Sequence, residues 1–326
     1  MFETKMECYR TKDDEVAKYV HEDGSETAIK AVTKKNPELG HDPISCSKWA
    51  LFLSSSVGCQ IGCKFCHLTL KKFPYNKLPS LAIYNNAIDA IDAEIKARPV
   101  LKRKFFKLSW MGMGDPMMII DNVPSISKCI IKHVRENGLS AGCEGIDMST
   151  TLPINMCQEG SRTKWIEDLK ELNEWLEQFP KNEINDEQNS RLRFFYSLMS
   201  MDFIARRSLV GGKNTVSNPG FVINKVFPDI KKAGIDTICH HILLDGVNDS
   251  DKDLQELTEW FADSESELRL LRYNTCTGSP YKESPRFDEF AEHLKTRINR
   301  LRCQISVGSE VKSACGMFLM PKSKDT

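Results

Sequence analysis

Cys59, Cys63 and Cys66 stand in the run Cys59-Gln60-Ile61-Gly62-Cys63-Lys64-Phe65-Cys66, a C-x3-C-x2-C spacing. Three thiolates on one short loop can each hold one iron of a [4Fe–4S] cubane, leaving the fourth iron without a protein ligand. An open coordination position is what a reacting metal centre offers its substrate. The amino and carboxylate groups of S-adenosylmethionine (SAM) can chelate such an iron. An electron from the cluster then breaks the sulfonium C–S bond and yields a 5′-deoxyadenosyl radical. Gly58 and Gly62 suit the tight loop this requires.

Zinc is the competing assignment. His67 adjoins Cys66, but adjacent residues rarely close one tetrahedral site, and no second cysteine pair lies at finger-like distance. Spacing therefore favours the cluster. Three core cysteines falling at these positions by coincidence is the weaker reading still.

Other residues form a second tier. Gly112-Met113-Gly114-Asp115 precedes Pro116 and reads as a glycine-flanked strand end. Glycines let a backbone approach a ligand closely, and they equally make a plain turn. Ser149 and Asn274 fall at later predicted strand ends, where a lone Ser or Asn is usually a turn or cap residue. Cys315, in Ser313-Ala314-Cys315-Gly316, reads by itself as a buried core thiol more often than a reactive one.

The elements that must position these residues alternate. Strands are expected over 49–53, 105–111, 145–149, 192–199, 237–244, 268–273 and 304–307. Helices are expected over 81–97 with Ser80 as N-cap, 122–137 ended by Gly138, 163–179, 219–233 closed by Gly234, 252–261 and 285–301. Ahead of them, Asp23-Gly24 marks a hairpin turn between two partly alternating runs. This βα rhythm predicts an α/β fold with a largely parallel sheet, closed or partly closed, and chemistry at the C-terminal strand ends. The polar stretch 181–190 is the candidate mobile loop.

Composition excludes several classes. The 326 residues are 40% hydrophobic and 28% charged, as in a globular protein. No apolar stretch is long enough for a membrane span, and the charged N-terminus lacks a signal-peptide core, so cytoplasmic residence is expected. Lys+Arg and Asp+Glu both number 45, a balance that does not by itself argue for nucleic acid. Local basic surface is left to Lys102, Arg103, Lys104 and Lys107 around Phe105 and Phe106, and to Arg206 and Arg207. Solvated charge on ordinary elements is the equal alternative. Twelve cysteines in a reducing compartment point to metal ligands, catalytic thiols and small core residues rather than disulfides.

Six motifs in order carry a resemblance: SSSVGCQIGCKFC at the cluster, WMGMGDP at 110–116, DMSTTLP at 147–153, HILLDGVNDS at 241–250, RYNTCTGSPYKESP at 272–285 and SACGM at 313–317, with EDGSETAI ahead of them. Together they resemble the RlmN/Cfr enzymes of the radical-SAM superfamily, which methylate an adenine of large-subunit ribosomal RNA. The resemblance spans roughly residues 10–320. It implies a partial (β/α)6 TIM-like barrel over 49–320 including the Cys315 loop, a small β-hairpin extension over 1–48 and a tail over 321–326. It implies a [4Fe–4S] cluster on Cys59, Cys63 and Cys66, and SAM contacts from Gly112, Met113, Gly114, Asp115, Ser149, Ser197 and Asn274. It also implies an RNA substrate (ribosomal or transfer RNA), no membrane partner, and an electron donor of flavodoxin or ferredoxin type. Cys315 matches the residue that is methylated by one SAM and then loses hydrogen to the radical from a second. The resulting methylene radical adds to C2 or C8 of adenine, carbons unsuited to SN2 methyl transfer.

Departures from the pattern narrow these expectations. The family's resolving cysteine lies seven residues before the first cluster cysteine, where this chain has Phe52. Cys46, Cys276 and Cys303 are the candidate replacements. Ser197-Leu198-Met199-Ser200 replaces Ser-Leu-His-Ala, and Asp115 replaces Glu. The segment 158–193 is longer than usual, and the helical N-terminal domain with which relatives grip RNA is expected to be missing. Two alternatives follow: a radical-SAM enzyme acting on a nucleotide or small metabolite without the two-cysteine mechanism, and a catalytically inactive RNA-binding homologue.

Overall fold

The computed structural model describes residues 6–13, 15–32, 48–179, 191–211, 216–275 and 278–304. The predicted loop 181–190, Cys46, Cys276 and the Cys315 motif lie outside the described residues. Strands β1 (Glu7–Arg10), β2 (Val16–Val20) and β3 (Glu26–Val32) form an antiparallel meander leading into β4 (Lys48–Phe52). The short pair β5 (Ser56–Val57) and β6 (Asn76–Lys77) brackets the cysteine loop and helix α1 (His67–Leu70). Then come α2 (Ser80–Ala97), β7 (Phe105–Trp110), α3 (Val123–Glu136), β8 (Gly142–Thr150), α4 (Glu159–Leu176), β9 (Leu192–Ser197) and α5 (Phe203–Leu209). The chain continues through α6 (Pro219–Phe221), a π turn (Val222–Val226), α7 (Phe227–Lys232), β10 (Asp236–Leu243), α8 (Asp251–Phe261), β11 (Glu267–Arg272), α9 (Phe287–Lys295) and β12 (Leu301–Gln304).

One ten-stranded sheet runs β1-β2-β3-β4-β7-β8-β9-β10-β11-β12. From β4 onward every pairing is parallel, which gives six βα units and a final strand. The fold is a TIM-like partial barrel. Alternation explains its two faces. On β7, Phe106, Leu108 and Trp110 are buried under the helices, while Lys107 and Ser109 face the lumen. On α3, Val123, Ile126, Ile130, Ile131 and Val134 form the helical stripe that covers them.

Several boundaries differ from the expectation. Ser80 is the first residue of α2, and Pro79 takes the cap position without a side-chain bond. Helix α4 begins at Glu159, four residues before the expected start, and α9 stops at Lys295, six residues short. The last strand begins at Leu301, because register with Leu268 through Leu271 selects 301–304. Helix α5 was not anticipated; Asp202 caps it by accepting from the Ile204 and Ala205 N–H groups. The helix expected over 219–233 is one continuous run whose π turn precedes Pro228, where a missing N–H already interrupts the ladder.

The basic patches are corrected too. Lys107 is buried in the lumen against Asp147, and Arg206 is fully buried. Neither belongs to a cationic surface.

Candidate active site

The cysteine loop sits above the C-terminal strand ends, held on three sides. Gly58 has φ +65°, and a Cβ there would lie 2.4 Å from the Pro74 carbonyl oxygen, so only glycine closes this turn. The Lys64 N–H donates to Leu209 O at 2.9 Å, joining the loop to the end of α5. The Tyr273 hydroxyl donates to Phe65 O at 2.9 Å, joining it to β11. Cys66 is the N-cap residue of α1, and its carbonyl accepts from Thr69 and Leu70.

Cys59, Cys63 and Cys66 are unoxidised and half-buried. Burial pushes the Cys59 thiol up to about 11, opposed by the N–H groups of Ile61, Gly62 and Gly114 that face its sulfur. Cys63 is pushed well up by burial, and Cys59 and Cys66 add to the effect, so the three thiols share one electrostatic neighbourhood. Such thiols ionise only when a cation compensates them. Among the described residues, no three His, Cys, Asp or Glu side chains are gathered to hold a single metal ion.

The segment after β7 is latched to the segment before the cysteines. Gly112 N–H donates to Leu53 O at 2.8 Å, Ser55 N–H to Met113 O at 2.8 Å, and Met113 N–H to Ser54 Oγ at 3.0 Å. A Cβ on Gly112 would lie 2.5 Å from Leu53 O, and one on Gly114 would strike the hydroxyls of Ser55 and Ser56. The glycines therefore serve close packing of two strand ends as well as whatever approaches from the lumen. Met113 is buried against Ala28 and Leu68, with both backbone polar groups already engaged.

Asp115 is buried, and its carboxylate takes four bonds: from Met117 N at 3.0 Å, Thr150 Oγ1 at 2.7 Å, Thr151 N at 2.8 Å and Thr151 Oγ1 at 2.9 Å. It clamps the end of β7 to the end of β8. Burial pushes its carboxyl up, and these donors pull it back. Ser149 and Ser197 are half-exposed on the lumen face of adjacent strands, and Asn274 follows β11. The structure thus brings Cys59, Cys63, Cys66, Gly112, Gly114, Ser149, Ser197 and Asn274 to one rim. Met113 and Asp115 instead turn inward as supports.

Two residues of this rim escaped sequence reasoning. Asn248 is fully buried; its Nδ2 donates to Met199 O at 2.6 Å and Ile242 O at 2.9 Å, and its Oδ1 accepts from Leu244 N at 2.7 Å. It ties β9 to β10 from within the HILLDGVNDS motif, where its place was the available signal. Arg206 was read as surface charge, and no local signal distinguished it.

No family model matches the chain. Among curated proteins, the dual-specificity RNA methyltransferase RlmN of Helicobacter hepaticus is 24% identical over 296 residues, covering 88% of this chain and 70% of that protein. The RlmN of Wolinella succinogenes is 24% identical over 97% of this chain and 80% of its own length. A probable RlmN of Prochlorococcus marinus is 25% identical over 82% of this chain and 66% of its own length. Among solved structures, a radical SAM methyltransferase from Sphaerobacter thermophilus superposes with a TM-score of 0.65 at 20% identity, over 96% of this chain and 81% of that one. The chain is thus similar along most of its length to RlmN-type RNA methyltransferases. It shares its fold with the Sphaerobacter protein, and it spans roughly two thirds to four fifths of the lengths of the curated proteins it matches.

Against the RlmN-type pattern, Phe52 ends β4 as a half-buried ring beside Ala28, Leu68 and Met113, in the group that Cys59 and Cys66 also join. The Lys30 ammonium lies 4.5 Å from its centroid. Cys303 is exposed and shares a face with Leu270, which packs under the helices, so its thiol lies on the outside of the barrel wall. Met199, where the pattern has His, is buried with φ +62°. Among the described residues, no helix is long and apolar enough to cross a membrane.

Proposed function

We propose that this chain is a radical-SAM methyltransferase that holds a [4Fe–4S] cluster on Cys59, Cys63 and Cys66, binds SAM at the adjoining rim, and carries the transferred carbon on Cys315. When bound, the cluster supplies the electron that opens SAM. The observation that carries the reading is the three-thiol loop latched to the Gly112–Asp115 turn, with the Gly114 N–H facing Cys59. The chain's own residues do the rest. Ser149, Ser197 and Asn274 orient the methionyl and ribose groups, Asp115 keeps the β7 and β8 ends in register, and Gly112 and Gly114 leave room for the cofactor's approach. RNA, ribosomal or transfer, is the substrate by likeness to the relatives, with reduction by a flavodoxin- or ferredoxin-type donor and a cytoplasmic setting.

The test is anaerobic reconstitution followed by incubation with SAM and dithionite. A brown protein that releases 5′-deoxyadenosine, together with a methyl on Cys315 by mass spectrometry, supports the proposal. Active SAM cleavage with unmodified Cys315 removes the carrier role.

Phe52 favours a second reading: the same SAM cleavage with a different acceptor, a nucleotide or small metabolite. An aromatic ring in a packed apolar group can neither take a proton nor form a disulfide. Product analysis separates the two, since methylated adenine in RNA supports the first reading and 5′-deoxyadenosine without it supports the second. A protein that takes up zinc instead of iron and sulfide would indicate an inactive binding homologue.

A further inference from the structure

Arg206 is fully buried, and among the described residues no carboxylate pairs with it. A buried cation without an acid costs several kcal/mol of solvation. Here four backbone carbonyls offset that cost. The guanidinium donates to Thr151 O at 2.8 Å, to Ser217 O at 3.3 Å, and to Ser197 O and Leu198 O. Its plane lies 4.6 Å from the Tyr196 ring centroid. Three of the carbonyls, those of Thr151, Ser197 and Leu198, lie at the ends of β8 and β9, which bear Ser149 and Ser197; the fourth, Ser217 O, lies just ahead of α6.

Arg206 also comes from the helix on which the cysteine loop rests. Helix α5 accepts the Lys64 N–H through Leu209, and Leu209 and Val210 pack with Ile61 and Phe65 in a group that Cys59 and Cys63 adjoin. Thr151, whose carbonyl accepts from Arg206, also donates its N–H and hydroxyl to Asp115, and the neighbouring Gly114 packs against Ser55 and Ser56 just ahead of the cysteines.

We propose that Arg206 is a positioning residue with two effects: its planar fork holds the β8 and β9 ends at the SAM-binding rim, and its buried charge beneath the cysteine loop raises the reduction potential of the cluster. The inference rests on the reading that Cys59, Cys63 and Cys66 hold that cluster. One-electron reduction adds a negative charge without forming or breaking a bond, and a nearby cation in a low-dielectric setting favours the more negative form.

The experiment is a dithionite titration of reconstituted protein followed by electron paramagnetic resonance, with SAM affinity measured alongside. Arg206→Gln is expected to make the cluster about tenfold harder to reduce, a shift of 59 mV to more negative potential for a one-electron couple. Arg206→Lys keeps the charge and is expected to restore most of the potential. Having lost the bidentate fork, it is still expected to bind SAM roughly tenfold more weakly. Arg207→Gln, an exposed charge one residue away, is expected to change neither quantity. Should Arg206→Gln not fold, Ser217→Asp places a carboxylate beside Arg206 and is expected to move the potential in the same direction. Equal potentials in wild type, Arg206→Gln and Ser217→Asp, at equal iron content, would overturn the inference. Failure of the wild-type protein to take up iron and sulfide would instead remove the reading on which it rests.

Discussion

At the scale of single residues, the rim is built by groups that spend their polar atoms on one another. Asp115 shows this most fully: all four of its bonds stay within the protein. Asp115→Asn keeps the shape but loses the charge and must turn its NH2 toward one hydroxyl and one N–H group. Hydrogen bonds to a charged group contribute ~1.5–3 kcal/mol each, so a stability loss of about that size is expected in urea unfolding, with weaker SAM binding by calorimetry. Replacing any one of Cys59, Cys63 and Cys66 by Ala is expected to abolish a stable cluster, read as iron and sulfide content after anaerobic reconstitution. Gly112→Ala would push a methyl against Leu53 O. Overpacking of this kind costs ~1–3 kcal/mol, and it is expected to part the ends of β4 and β7. The variant's unfolding midpoint and its iron retention both report on it.

Between elements, the N-terminal meander is not a loose appendage. Strand β3 pairs with β4 along five residues and extends the same sheet. Its neighbours β1 and β2 are anchored to α2 through Glu94, a fully buried carboxylate that accepts from Arg10 Nη1 at 3.0 Å and Nη2 at 2.6 Å, and also from Tyr19 and Arg98. Burial alone would raise Glu94, and these partners outweigh it and hold its carboxyl below the usual range. Glu94→Ala strands the buried Arg98 and the half-buried Arg10, a defect expected to cost ~3 kcal/mol. The expected loss should appear as a lower urea midpoint for the whole protein, because the meander and the barrel share one sheet. A separate early transition for the meander alone would contradict this coupling.

Over the whole molecule, the lumen below the rim is ionic rather than apolar. Lys48 meets Glu144 at 2.7 Å, Lys107 meets Asp147 at 3.0 Å, and Arg193 binds Asp147 through two bonds of 2.7 and 2.6 Å. Phe195 lies between the guanidinium groups of Arg193 and Arg269, at 5.3 and 4.9 Å. Burial would raise Asp147, but Arg193 and Lys107 outweigh it and hold the carboxyl far below its ordinary 3.8. A depressed carboxylate contributes stability above its unfolded-state pKa and loses it as pH falls through the folded-state value. Stability is therefore expected to decline as the medium is acidified below about pH 4. Asp147→Asn is expected to be less stable at neutral pH by ~3–5 kcal/mol, since two buried cations lose their partner. Its decline in acid should be shallower than that of the wild type. Urea midpoints from pH 7 down to pH 3 test both statements.

What could be read without coordinates is what short-range pattern encodes. The cysteine spacing, the βα alternation and the Gly58 turn are local, and each appears in the structure where the chain's own periodicity put it. The last strand starts at Leu301, three residues before its expected start, because register with β11 depends on a neighbour that periodicity does not see. The roles of Arg206, Asn248 and Lys107 were decided only by tertiary structure. A cation or amide in a polar-looking segment becomes a fastener when non-local strands bring carbonyls or a carboxylate around it. Burial then turns a screened, weak interaction into one that the fold depends on. The sequence alone determined that three thiols share one loop; the folded barrel decided which strand ends stand beside them and which buried side chains hold those ends together.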